Sequence, residues 1–212
     1  MPLRLNGSTS GSVTLEAPAD TSPTGTDITL TLPTTDGDNG QYLQTNGSGT
    51  LSWQTVPNNG FESYAVIADQ KASGTGGGTF TNGAWRTRDL NTEISDADGI
   101  VSISSNQFTL GAGNYLIRWQ CPALRIERHI SRLQDITNTA TVGTGSSSYT
   151  DASTSLANSV SFGAARVSIT GDTVYEVQNI CFTSRADFGF GLAVSLDSTT
   201  ETYTIVEIFK EA

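Results

Sequence analysis

The chain has 212 residues, a formal net charge of −10 at pH 7, and a composition only 36% hydrophobic and 15% charged. A non-specific nucleic-acid binder needs a basic surface to displace counterions from phosphates, so this charge argues against DNA or RNA as a partner, and no apolar run approaches the length of a membrane span. Thr favours strands while Gly and Asn favour turns, which makes a turn-rich all-β protein the natural reading.

In chain order, residues 1–11 lack the apolar core of a signal peptide. Residues 12–18 and 28–33 each alternate apolar with polar side chains and stop at a proline, which predicts two short strands. Residues 40–45 and 50–53 flank Asn46-Gly47-Ser48-Gly49, a Gly-rich turn that predicts a hairpin. Its large side chains are Tyr42, Leu43, Leu51 and Trp53. Four such strands bury too little apolar surface to fold alone. They need a partner, and identical copies around a three-fold axis supply one. The composition shifts at residues 56–60. The expected division is therefore 1–57, a β-rich stem, and 58–212, a separate domain.

Beyond that boundary, strands are predicted over 64–68, 84–90, 100–103 and 107–110. A long segment, 114–134, follows and breaks at Pro122. Strands resume over 159–170, 173–182, 188–196 and 202–210. The Gly-rich stretch 73–79 and the Ser/Thr-rich stretch 137–158 are expected to loop outward. Roughly nine or ten strands in about 150 residues is the count of a two-sheet jelly roll. Tyr115, Ile117, Trp119 and Cys121 share one strand face, and Leu116, Arg118 and Gln120 the other. In the last strand Tyr203, Ile205 and Phe209 alternate with Val206 and Ile208, so both faces are largely apolar. One meets the opposite sheet, and the other a neighbouring subunit or an overlying loop. Tyr115, Trp119, Tyr203, Ile205 and Phe209 are thus the candidates for core or subunit interface.

The run Leu110-Gly111-Ala112-Gly113-Asn114-Tyr115-Leu116-Ile117 resembles the Gly-x-Tyr strand of complement-type and tumour-necrosis-factor-like jelly rolls. Residues 122–133, 142–146, 188–193 and 202–211 are similar to segments of phage virion proteins that carry this module, and residues 36–53 resemble connectors of phage fibre proteins. The resemblance implies a homotrimer, a virion location and a non-enzymatic head. On that reading the chain is a tail-fibre-like appendage of a bacteriophage virion. Residues 1–57 would dock to other virion proteins, and the head would contact a host-surface glycan or protein. Particles released by lysis would carry it outside the cell. A capsid decoration or cement protein, or a head fibre at three-fold positions, is the rival. A glycan-degrading enzyme ranks below both, because no convincing pair of carboxylates flanks a site.

No cofactor, metal or catalytic residue is expected. The single histidine, His129, excludes a zinc site built on several histidines, and no Gly-x-Ser-x-Gly elbow supports a triad. His129 is read as structural or surface. Cys121 and Cys181 are either buried thiols or, if their strands are adjacent, a bridge. Residues 36–40 and 96–99 look like the start of calcium loops, but Gly47 and Gln107 stand where a closing Glu belongs. They read as turns, with calcium open only to ligands gathered from several loops of a trimer. Residues 74–78 lack the Lys-Ser/Thr ending of a phosphate loop. Arg125, Arg128 and Arg132, interspersed with Glu127 and Asp135, form either a cross-strand salt-bridge ladder or a site for an anionic glycan or a virion partner. Trp85 and Tyr149 are the aromatic binding candidates. Tyr149 lies among small polar residues, the composition of a recognition loop, with Asp151 as a nearby acceptor. The competing reading folds these rings back on their own domain.

Overall fold

The computed structural model describes residues 3–6, 10, 12–15, 18–19, 21–22, 24–56, 60–153 and 157–212, and no helix occurs among them. The chain divides into two compact units, Met1–Pro57 and Asn58–Ala212. Residues 57–59, in the middle of the composition shift, lie outside the described residues, as do 16–17 at the end of the first predicted strand.

In the first unit β1 (Leu3–Asn6) pairs antiparallel with β2 (Ser12–Leu15). The predicted hairpin forms from β3 (Gln41–Thr45) and β4 (Leu51–Thr55), with Leu43 opposite Trp53. The Asn46 side chain closes its turn by accepting from the amides of Ser48 and Thr50. The Trp53 indole lies on Gly37, where a Cβ would sit 2.6 Å from the ring, and its Nε1 donates to the Thr35 carbonyl at 2.8 Å. Gly37 also has φ +72°, so the turn and the ring both select glycine. Residues 28–33 do not form the predicted strand. They make one isolated parallel bridge, Thr31 to Thr50. Alternation alone does not make a strand, and here Ile28, Leu30 and Leu32 remain 61%, 58% and 68% exposed.

The second unit is a two-sheet jelly roll. Its strands are β5 (Phe61–Lys71), β6 (Arg86–Thr87), β7 (Thr92–Asp96), β8 (Val101–Ser104), β9 (Gln107–Leu110), β10 (Gly113–Ala123), β11 (Glu127–Asp135), β12 (Ala140–Thr144), β13 (Ser148–Thr150), β14 (Ser159–Ile169), β15 (Thr173–Cys181) and β16 (Glu201–Glu211). One sheet has the order β14-β10-β16-β5-β7. The other has the order β12-β11-β15-β9-β8, with β13 joined to β11 and β6 to β15. From β9 onward the chain repeatedly crosses between sheets, at β9–β10, β10–β11, β13–β14, β14–β15 and β15–β16.

The expected alternation of β10 holds. Tyr115, Ile117, Trp119 and Cys121 are buried between the sheets with Ile67, Val206 and Ile208, facing Phe108, Leu133 and Val177. Trp119 sits opposite Gly163 in the β10–β14 register. A Cβ at 163 would lie 2.0 Å from the indole, so only glycine lets the ring lie flat across its neighbour. Trp119 Nε1 donates to Ser131 Oγ at 2.8 Å, joining the two sheets through the core.

Within the second unit the structure differs from the predicted elements in five places. The 84–90 segment pairs only as the two residues of β6. The stretch 137–158 carries β12 and β13, which extend the second sheet, and only part of it is loop; residues 154–156 lie outside the described residues. The 188–196 segment forms turns: Phe190 tucks against Phe80, and Gly189 packs so close that a Cβ would sit 2.6 Å from Phe80. Pro122 stays inside β10, because pairing with β16 ends at Gln120 and the missing amide breaks no bond there. The irregular strand β7, which lacks clean alternation, pairs with β5.

Candidate binding surfaces

Two outward sheet faces carry the side chains that can recognise a partner. On the second sheet, β11 turns His129, Ser131 and Leu133 inward and Arg128, Ile130 and Arg132 outward. The register places Ile130 beside Ile180, Arg132 beside Gln178, and Tyr149 of β13 beside Arg128. Phe182 follows β15 directly. The Arg128 guanidinium lies 4.1 Å over the Phe182 ring, and Arg132 lies 4.2 Å over Trp85. Arg132 also donates to Gln178 (2.7 Å) and Thr141 (3.0 Å). Four residues of strand separate the two stacked pairs by about 13 Å.

An open groove of about 550 Å³ runs between Arg128, Ile130, Tyr149, Ile180 and Phe182, and among the described residues no carboxylate lines it. Tyr149 is 63% exposed and Phe182 is 56% exposed. Among the described residues Arg128 makes no ion pair. A guanidinium on an aromatic face keeps its N–H edge free to fork onto a carboxylate or sulfate. The salt-bridge ladder is therefore not what Arg128 and Arg132 build. Its expected acids are used locally: Glu127 accepts from Thr183, and Asp135 from Asn138.

Tyr149 lies on a short strand and also lines a second, smaller cavity with Asp151 and Asn158. Asp151 accepts from the Ser153 amide and hydroxyl. Trp85 stands further along the same face on Arg132. Phe182, Ile130 and Ile180 were not singled out in the sequence, since only the β11–β15 register brings them to Tyr149.

Behind the groove His129 is 4% exposed. Burial and the nearby Arg88 charge push its imidazole down to about 4, so it is neutral at physiological pH. Ser159 Oγ lies 2.9 Å from His129 Nε2, but the other ring nitrogen faces the Asn179 amide in place of a carboxylate. Such a histidine positions strands and is a poor base. Cys121 and Cys181 are buried free thiols, both pushed up to about 11 by desolvation. Asp96 accepts from the amides of Ile100 and Val101 through its two carboxylate oxygens, which closes the turn.

On the first sheet the outward face is apolar at one end. Phe209 pairs across with Leu116 on β10 and Tyr64 on β5. Phe61 and Tyr64 pack on Phe209 with ring centroids 4.7 and 4.9 Å away. Phe61 and Tyr64 stay 49% and 41% exposed. Two ion pairs lie on this face, Arg118 with Glu207 and Arg166 with Glu211, while Lys210, in register with the inward Tyr115, pairs with Glu62. Of the candidates for core or interface, Ile205 and Phe209 look outward. Tyr115 and Trp119 lie inside the sandwich, and Tyr203 is buried under its own loops, donating to the Thr75 carbonyl. A bulge after Thr202 breaks the assumed alternation and separates Tyr203 from Ile205. In the first unit Tyr42 and Leu43 are 39% and 43% exposed, while Leu51 and Trp53 are half-buried.

No protein-family model matches the chain, and no curated protein matches it. Among solved structures it is similar to the globular domain of zebrafish complement 1qA protein, at 14% identity and a TM-score of 0.44, over 70% of this chain and 97% of that one. It is also similar to murine APRIL, at 8% identity and 0.45, over 70% and 98%, and to Eiger TNF from S. frugiperda, at 13% identity and 0.44, over 72% and 94%.

Proposed function

We propose that the chain is a structural protein of a bacteriophage virion, a homotrimeric tail-fibre-like appendage whose jelly-roll head binds the host surface and catalyses nothing. The observation that carries self-association is the outward face of the first sheet. Phe61, Tyr64, Leu116 and Phe209 gather there, beside the Arg118–Glu207 and Arg166–Glu211 pairs. On a chain of net charge −10, two balanced ion pairs on this face let copies meet without net repulsion there. The groove under Tyr149 supports the binding role. Exposed rings stack on sugars, and Arg128 takes an anionic substituent, so an acidic surface polysaccharide is the favoured ligand. Three copies of a weak groove add through avidity. The virion assignment rests on the order of the fibre-like and head-like motifs in the sequence.

Light scattering of the intact chain is expected to give three times the 22.3 kDa subunit mass. A folded 22.3 kDa species at micromolar concentration would remove the proposal's basis. Antibody-labelled particles then locate the protein. Density on the tail fits the appendage, whereas density at capsid three-fold positions replaces it with a decoration protein.

A further inference from the structure

The first unit holds an open β-edge that coincides with its most exposed apolar stripe. Thr31 gives both backbone groups to the hairpin: its amide donates to the Gly49 carbonyl, and its carbonyl accepts from the Leu51 amide, each at 2.8 Å. Successive residues of an extended chain aim their backbone groups at opposite edges. Leu30 and Leu32 therefore aim theirs away from the hairpin, and neither makes a backbone hydrogen bond to a described residue. Ile28, Leu30 and Leu32 lie two residues apart, share a face, and are the large side chains at 58–68% exposure.

We propose that this edge is covered by the first unit of a second copy of the chain, so that residues 28–32 become a true strand only on assembly. Two further observations select a copy as the occupant. Residues 28–35 carry no charge, although Asp27 and Asp36 flank them, so on a chain of net charge −10 this segment meets another copy without adding like-charge repulsion. A flat, apolar edge is also an aggregation hazard unless it is always covered. A copy of the same chain is the one partner present in equal amount from synthesis onward. The proposal rests on the self-association reading above and adds to it the segment that closes the stem.

The test is hydrogen exchange resolved to single amides, on the full chain, across a dilution series followed in parallel by light scattering. In the assembled protein the Leu30 and Leu32 amides are expected to exchange at least about tenfold slower than in the dissociated protein. Thr31, bonded to the hairpin, is expected to be slow in both. Leu30→Asp should remove the protection at Leu32, and Leu30→Val should keep it. Assembled protein with fast exchange at both leucines overturns this inference and leaves self-association standing. Protein that stays monomeric throughout overturns both. Equal protection in assembled and dissociated protein means the segment docks on its own chain, and that also defeats the proposal.

Discussion

In the second unit Ile67, Phe108, Ile117 and Leu133 have no exposed surface, whereas in the first unit Ile28, Leu30 and Leu32 keep more than half of theirs. Phe108 and Leu133 alternate with polar neighbours just as Leu30 does. The difference lies in what stands opposite. The second unit brings a five-stranded sheet against a seven-stranded one, so each inward row meets another. The first has only two-stranded pairings among its described residues, and a hairpin with one bridged segment has no second layer. Periodicity thus marks which side chains seek burial, and layer count decides whether one chain can provide it.

Breaking the closed core should give the largest effect. Trp119→Ala removes a buried indole and its bond to Ser131, and is expected to lower the stability of the second unit by about 3–5 kcal/mol. Chemical denaturation followed by head-specific exchange would measure it, and protection in the first unit should not move in parallel. The pH response comes next. His129 titrates at about 4 in the folded chain against an ordinary 6.5. The unfolded chain therefore takes up a proton that the folded one refuses, and stability falls as pH drops from 6.5 towards 4, by roughly 3 kcal/mol in total. His129→Asn should flatten that slope, and as the only histidine it gives a clean signal. If the wild-type slope in that window is flat, the buried neutral imidazole is wrong.

Smaller effects sharpen the contrast at the surface. Arg128→Ala should weaken binding to a carboxylated or sulfated polysaccharide by about tenfold per site, with no change in melting temperature, because the side chain is exposed. Immobilised polysaccharide in a plate or biosensor assay reads this directly, and a neutral glucan serves as the control. The smallest change belongs to Glu201, whose carboxylate accepts from the amides of Gly74, Val194 and Ser195. Those bonds hold it below the ordinary 4.5. The anchoring they give is complete above that value and is lost as pH falls through the depressed one. Glu201→Gln should speed exchange in these two loops at neutral pH, and leave the sheets untouched.

Much of the jelly roll was legible in strand alternation. Strands β5, β9, β14, β15 and β16 lie where 64–68, 107–110, 159–170, 173–182 and 202–210 were predicted, with longer or shorter ends. Errors fell where local pattern and tertiary contact disagree. Phe188, Phe190 and Leu192 alternate like a strand, yet Phe190 is held by Phe80 and by the Arg88 guanidinium 4.1 Å away, so the segment folds into turns. Of the binding residues, Tyr149 was visible as an aromatic in polar surroundings. Phe182 was not, because its exposure follows from the end of β15 and its stacking from a residue 54 positions earlier.

The sequence by itself determined the all-β class and the buried face of β10, because each depends on neighbours within a few residues. Only the tertiary structure decided that Arg128 and Arg132 lie on aromatic rings, that Tyr203 turns inward at a bulge, and that 28–32 is left with an unpaired edge. Strand register and sheet order join residues far apart in the chain, and no local preference encodes which partner a strand will meet.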